Sequence, residues 1–181
     1  EILRCLVGSE MCIRDSLYFC QACRETLEAK EGNQLLLENL FVWLDRQEDF
    51  PWPDYSGLVV NVQDCWRDRK HPEIFQAVRS CLGKMRVQVR EMEENRERSV
   101  FCGNLHFEPH LPENIALVKA RPGVPLYDFP EEEQARLFAE QAAKYTAPLA
   151  VTYCNRCTAG ISLGGGKAVH LMELAMETYL E

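Results

Sequence analysis

The chain has 181 residues, a formal net charge of −8 and a pI near 5.1. That balance argues against a nucleic-acid or anionic-membrane surface, since phosphate binding needs clustered Lys and Arg. Nine cysteines are too few for a secreted disulfide scaffold; with no signal-peptide pattern and no apolar run long enough for a membrane span, the expected compartment is the cytoplasm, where paired thiols serve metals or redox chemistry.

Residues 1–16, EILRCLVGSEMCIRDS, lack a starting Met and a clear period. They resemble an adaptor-derived translation and are read as a non-native segment, with Cys5 and Cys12 set aside. Next comes FCQAC with Cys20 and Cys23, then an apolar-rich helix over LLLENLFVWL. QEDFPWPDYSG, with two Pro, a Gly and acids, marks a boundary between residues 17–50 and a second module at 55–181.

GLVVNVQ reads as a buried strand, bounded by Gly57 and DCWRDRKHP. After Pro72, Ile74, Phe75, Val78, Leu82 and Met85 fall at helical spacing, with Gly83 as a stop signal. VQVREM and SVFCG read as two further strands. A Pro-containing loop runs from Asn104 to about Pro130, and EEEQARLFAEQAAKY reads as a helix opened by acids. PLAVTYC is a strand and GKAVHLMELAMETYL a closing helix. The order implies an α/β fold: a small, mostly parallel sheet with helices on both faces and cysteines at the carboxyl ends of strands.

Those strand ends carry Cys65, Cys102 and Cys154, with Cys157 three residues further on. Parallel strands gather their carboxyl ends at one edge, so the four thiols are expected to converge, and CNRC can place two sulfurs on one metal centre. Cys81 lies on the apolar helix face and reads as a core thiol. His106 and His110 read as solvated loop residues, and His170 as a satisfied half-buried side chain of the last helix. LGGGKA fails the phosphate-loop spacing; its glycines read as a close backbone approach to the cysteine site at the start of that last helix. Arg67 reads equally as a stabiliser of thiolate charge or as a surface ion pair.

The C-terminal stretch also repeats the N-terminal one. At a constant offset of 134 residues, Cys20 aligns with Cys154, Cys23 with Cys157, Gly32 with Gly166, Leu37 with Leu171 and Leu40 with Leu174. A module duplicated and shortened at its front produces that pattern. NVQDCWRDRKHPEIFQAVRSCLGKMRVQVREMEENRERSVFCG followed by YCNRC resembles the cysteine-rich (CCG-type) repeat of the heterodisulfide reductases and related iron-sulfur oxidoreductases. Those carry two copies of a Cys, a long gap, Cys-Cys-Gly and a later CxxC. Here 35 residues separate Cys65 from Phe101, and Gly103 follows Cys102.

The resemblance implies an N-terminally truncated iron-sulfur electron-transfer module of an oxidoreductase. It places a cluster on Cys65, Cys102, Cys154 and Cys157, with Cys20 and Cys23 as remnants of a first set, and other oxidoreductase subunits carrying flavin or further iron-sulfur centres as partners. Phe101 stands where the family pattern has a cysteine, so one expected thiolate is absent. The four that remain suffice for an ordinary four-iron four-sulfur cluster or for zinc. A zinc-stabilised interaction domain and a metal-free CxxC thiol oxidoreductase are the alternatives the residues leave open.

Overall fold

The computed structural model describes residues 39–101, 103 and 131–179. Four short strands form one all-parallel sheet: β1 (Val59–Gln63), β2 (Gln88–Arg90), β3 (Leu149–Thr152) and β4 (Ala168–His170), in the spatial order β2-β1-β3-β4. The expected α/β class is what the chain adopts. β1 and β3 pair centrally, with Val60 opposite Leu149 and Gln63 opposite Thr152. Val60, Asn61, Val62 and Gln63 are all buried, so both faces of β1 are covered, as a central parallel strand requires.

Helices supply both covers. Asn61 and Gln63 point toward α3 (Glu131–Ala142) and the chain after it: Gln63 Oε1 accepts from Gln141 Nε2 and Tyr145 OH, each at 2.7 Å, and Asn61 Oδ1 accepts from the Thr146 and Ala147 N–H groups. Val60 and Val62 face the other way. On that side α1 (Leu40–Asp45) sets Phe41 edge-on to Tyr153, 6.2 Å between centroids, and packs on α2 (Pro72–Lys84). Asn39 caps α1 by accepting from the Phe41 N–H. Lys84 ties the two helices by pairing with Asp45 at 2.8 Å.

α2 begins with Pro72, whose missing N–H costs nothing in the first turn, and has Glu73 near its start and Lys84 near its end, matching the helix dipole. Its buried stripe is Ile74, Phe75, Ala77, Val78, Cys81 and Leu82. The helix stops in a Schellman motif: Arg86 N–H bonds the Gly83 carbonyl and Val87 N–H the Leu82 carbonyl, both at 2.9 Å. The left-handed residue of this cap is Arg86 (φ 58°), not a glycine.

The C-terminal region differs from the expectation in two ways. Asn155–Leu163 form a helix, α4, that the sequence reading did not include, and the long closing helix is instead a strand, β4, followed by the short helix α5 (Leu171–Ala175). The glycine run ends α4 rather than starting a helix. Gly165 takes the left-handed position (φ 82°), and Gly165 and Gly166 N–H close a second Schellman motif on the Ser162 and Ile161 carbonyls. Gly164 lets α4 press on α3, since a Cβ there would stand 2.2 Å from the Phe138 carbonyl oxygen. The expected strand at SVFCG is also absent among the described residues, where 99–101 are irregular. The Trp66 N–H bonds the Phe101 carbonyl at 3.1 Å, an isolated link in place of a ladder.

The expectations placed on residues 1–16, Cys20, Cys23, Cys102, His106 and His110 fall outside the described residues, as does the Arg67 side chain.

Arg86 offers a clean test of the α2 cap. Its side chain contributes an exposed pair with Asp54 at 3.1 Å, an interaction worth little. Arg86→Gly removes the left-handed strain and should raise unfolding stability by about 0.5 kcal/mol in urea titrations; a loss of stability would contradict this account of the turn.

Candidate metal centre

The strand order reverses direction between β1 and β3. From β1 the chain crosses to β2 on one side, and from β3 it crosses to β4 on the other. The loops leaving β1 and β3 therefore diverge and open a crevice at the carboxyl edge of the sheet, where open α/β sheets place ligands. Cys65 and Cys154 each stand two residues past the strand before them. The sulfurs of Cys65, Cys154 and Cys157 lie within 4.8 Å of one another, a set that could hold a metal ion. Three of the four expected thiols are thus brought together.

Each is set by a different local device. Cys65 precedes a single 3-10 turn, Trp66–Asp68, and its carbonyl accepts from the Asp68 N–H at 3.1 Å. Its own N–H donates to the Tyr153 hydroxyl at 3.0 Å. Cys154 is the N-cap of α4 in extended conformation (φ −136°, ψ 118°), and its carbonyl accepts from Thr158 N–H at 3.0 Å. The Thr152 and Thr158 hydroxyls, 2.5 Å apart, brace the same carbonyl. Cys157 falls in the first turn of α4, fully buried. The positive end of the α4 dipole favours the thiolate form there, which is the form that binds metal.

The chain before Cys65 is anchored by charge. Asp64 is fully buried and takes a two-pronged bond from Arg79, at 3.0 and 2.7 Å, and another from the Arg96 N–H at 2.7 Å. Its carbonyl accepts from Gln63 Nε2 and the Ser99 hydroxyl. Arg79 also bonds Glu91 at 2.7 and 2.8 Å, and that contact holds the Glu91 carboxyl below its ordinary value. Burial pushes the Tyr153 phenol well above its usual range, with the charges of Asp64, Asp68 and Cys65 adding to the effect. Tyr145 is raised chiefly by burial too.

Gly103 packs on the CNRC backbone. A Cβ there would stand 1.7 Å from the Arg156 carbonyl oxygen and 2.8 Å from the Cys157 Cα, so only glycine fits. It also sits against Gly160, where a Cβ would come within 3.0 Å of the Gly103 Cα. The glycine that approaches the cysteine site is therefore Gly103, not the 164–166 run. Phe101 is buried and meets Phe138 edge-on at 6.4 Å. Cys81 sits in the core as expected, its Sγ 3.9 Å from the Phe41 carbonyl, with its thiol pushed up to about 12 by burial first and Asp45 second. His170 is buried at the end of β4, where its Nδ1 accepts from Met172 N–H and the Glu173 carboxylate accepts from its backbone N–H.

Sequence reasoning missed Tyr153 as a brace and Arg79 as an anchor. Tyr153 looked like one more strand residue before a cysteine; the only available signal for Arg79 was a charged residue on a helix whose neighbouring positions are apolar. No helix among the described residues is long and apolar enough to cross a membrane. No protein-family model, curated protein or solved structure matches the chain.

Two outcomes follow from this geometry. In metal-free reduced protein, Cys154 is the half-buried member of the set while Cys65, Cys157 and Cys81 are buried. Among these four, iodoacetamide at pH 8 should label Cys154 first and leave Cys81 unmodified until unfolding, as read by peptide mass spectrometry. Second, Arg79→Met leaves Asp64 buried without its cation and should cost about 3 kcal/mol near neutral pH. Because the folded Glu91 value is depressed, its contribution is present above the ordinary 4.5 and is lost as pH falls through the folded value. The stability gap between wild type and Arg79→Met should therefore narrow in acid; a gap that is constant with pH would remove Glu91 from the network.

Proposed function

We propose that the chain is an iron-sulfur electron-transfer module of a heterodisulfide-reductase-like oxidoreductase, with Cys65, Cys154, Cys157 and Cys102 as cluster ligands. The observation that carries this reading is the gathering of three thiols, far apart in sequence, at the switch point of a parallel sheet. Cys102 enters as the fourth ligand because both of its chain neighbours are at the site: the Phe101 carbonyl holds the N–H next to Cys65, and Gly103 lies on Arg156 and Cys157. The spacing Cys65, Phe101-Cys102-Gly103 and Cys154-x-x-Cys157 is the resemblance that favours the cluster.

A bound cluster would supply one-electron transfer. The chain itself holds the thiolates, excludes water with Phe101, Trp66 and Tyr153, and sets the hydrogen bonds around sulfur. Flavin- or iron-sulfur-containing subunits would be its electron partners. Disulfide reduction is not part of the proposal, because Phe101 takes the place of the family's additional cysteine and is packed against Phe138.

Zinc is the second reading, and the compactness of the set favours it. A tetrahedral zinc with Zn–S near 2.3 Å holds thiolates about 3.8 Å apart, closer to the 4.8 Å span here than the wider spread of a four-iron cluster. Anaerobic purification with iron, sulfide and zinc analysis separates the two. Brown protein containing iron and acid-labile sulfide is expected, with loss of the metal in Cys65→Ser, Cys102→Ser, Cys154→Ser and Cys157→Ser but not in Cys81→Ser. One zinc per chain without iron establishes the second reading. Metal-free protein with a Cys154–Cys157 disulfide points to thiol chemistry and rejects both.

A further inference from the structure

Tyr153 does more at the site than exclude water. Its backbone leads directly into Cys154, while its side chain crosses the crevice to the other cysteine loop, where the hydroxyl oxygen accepts the Cys65 N–H at 3.0 Å. The residue is 3 % exposed, so bulk solvent does not reach the hydroxyl. A phenol is both acceptor and donor. The bond to Cys65 uses the oxygen as acceptor and leaves the O–H proton to be placed, and no acceptor for it is found among the described residues.

A buried O–H without an acceptor costs about 1–3 kcal/mol, so the surroundings of the hydroxyl are informative. The Asp64 carboxylate is engaged by both Arg79 nitrogens and by the Arg96 N–H. The Cys65 carbonyl already accepts from the Asp68 N–H. Two acceptors remain in its surroundings, the Asp68 carboxylate and the sulfur of Cys65, whose charges both act on the phenol; the sulfur is three bonds from the nitrogen that the phenol oxygen touches. A thiol is a weak acceptor, whereas a metal-bound thiolate is a strong one, so this bond gains most when the site is loaded.

We infer that Tyr153 donates its O–H to the Cys65 sulfur and is the positioning residue that tunes this thiolate within the metal centre. The inference rests on the metal-thiolate reading but not on which metal is native. Hydrogen bonds to ligating sulfur are a principal lever on the electronics of thiolate centres. The same side chain fixes the gap between the two loops, because one tyrosine supplies the backbone of one and the acceptor for the other.

Cobalt(II) added anaerobically to the metal-free, reduced 181-residue chain provides the test, since sulfur-to-cobalt charge transfer reports directly on thiolate donor strength. Wild type is expected to show this band. In Tyr153→Phe, which keeps the ring, loss of the bond makes Cys65 a stronger donor and should move the band to longer wavelength at unchanged cobalt stoichiometry. Tyr55→Phe, which removes a hydroxyl bonded to the Leu174 carbonyl, should leave the band in place. If Tyr153→Phe does not melt cooperatively, protein grown with 3-fluorotyrosine decides: its stronger phenol donor should shift the band to shorter wavelength. An unshifted band in Tyr153→Phe or in the fluorinated protein overturns the inference while leaving the metal centre intact. A band that moves in Asp68→Asn as far as in Tyr153→Phe overturns it too, by assigning the proton to Asp68. Absence of any thiolate-cobalt band in wild type rejects the metal centre itself and this inference with it.

Discussion

The cysteine site depends on a single topological constraint, the reversal of strand order between β1 and β3. Parallel strands need crossovers, and crossovers of one hand send the chain to opposite faces of the sheet when they run in opposite directions. The loops after β1 and β3 must therefore part, and what stands just past the two strands faces a common gap. Cys65 stands in one loop and Cys154 in the other. Had β3 been placed beyond β2, the same residues would lie strands apart and could share no ligand.

A gap lined by thiols is useful only if its walls are rigid, and here polar groups supply the rigidity. Asp64 is held by Arg79 and by Arg96 N–H, and Gln63 by Gln141, Tyr145 and Ser99. Asp64 and Gln63 are buried and their bonds are made, which is the condition under which a buried polar network specifies one geometry instead of weakening the fold. On the other wall, α4 is fixed by small residues. Gly160 lies against Phe138 and Gly103, Gly164 lies against the Phe138 carbonyl, and this contact sets the axis on which Cys154 and Cys157 are mounted. The two walls use opposite means: charge pairing where the chain turns after β1, and absence of side chains where two helices press together.

The sequence showed β1, β3 and α2 because each combines a periodic apolar pattern with clear ends: β-branched residues bounded by Gly57 for β1, and Pro72 followed by a stripe ending at Met85 for α2. It also showed the gathering of Cys65, Cys154 and Cys157, because topology places the ends of neighbouring parallel strands together. α4 was hidden for a physical reason. NRCTAGISLGGG has few large apolar residues, since the helix packs through glycine and buries only Cys157, Gly160 and Ile161. A helix that packs by lacking side chains leaves little pattern to read. β4 was hidden because its three residues run without a break into α5, so AVHLMEL reads as one helical segment. Neither Tyr153 nor Gly103 could be assigned a partner in advance, because their contacts join residues 88 and more than 50 positions away.

The three helix ends show how the same backbone need is met under different pressure. α2, α4 and α5 each close with the paired bonds of a Schellman motif, around left-handed residues Arg86, Gly165 and Glu177. Arg86 and Glu177 lie at the exposed surface, where about 1 kcal/mol of strain at one residue is tolerable. Gly165 lies between two glycines that serve different ends: Gly164 touches α3, and a Cβ on Gly166 would meet Ile161 at 2.8 Å. In that turn the chain must be left-handed and close-packed at once, and side chains would obstruct the packing that orients α4. The glycine run is therefore a feature of the cysteine site at one remove. It sits at the far end of the helix, and it lets the near end hold Cys154 and Cys157 opposite Cys65.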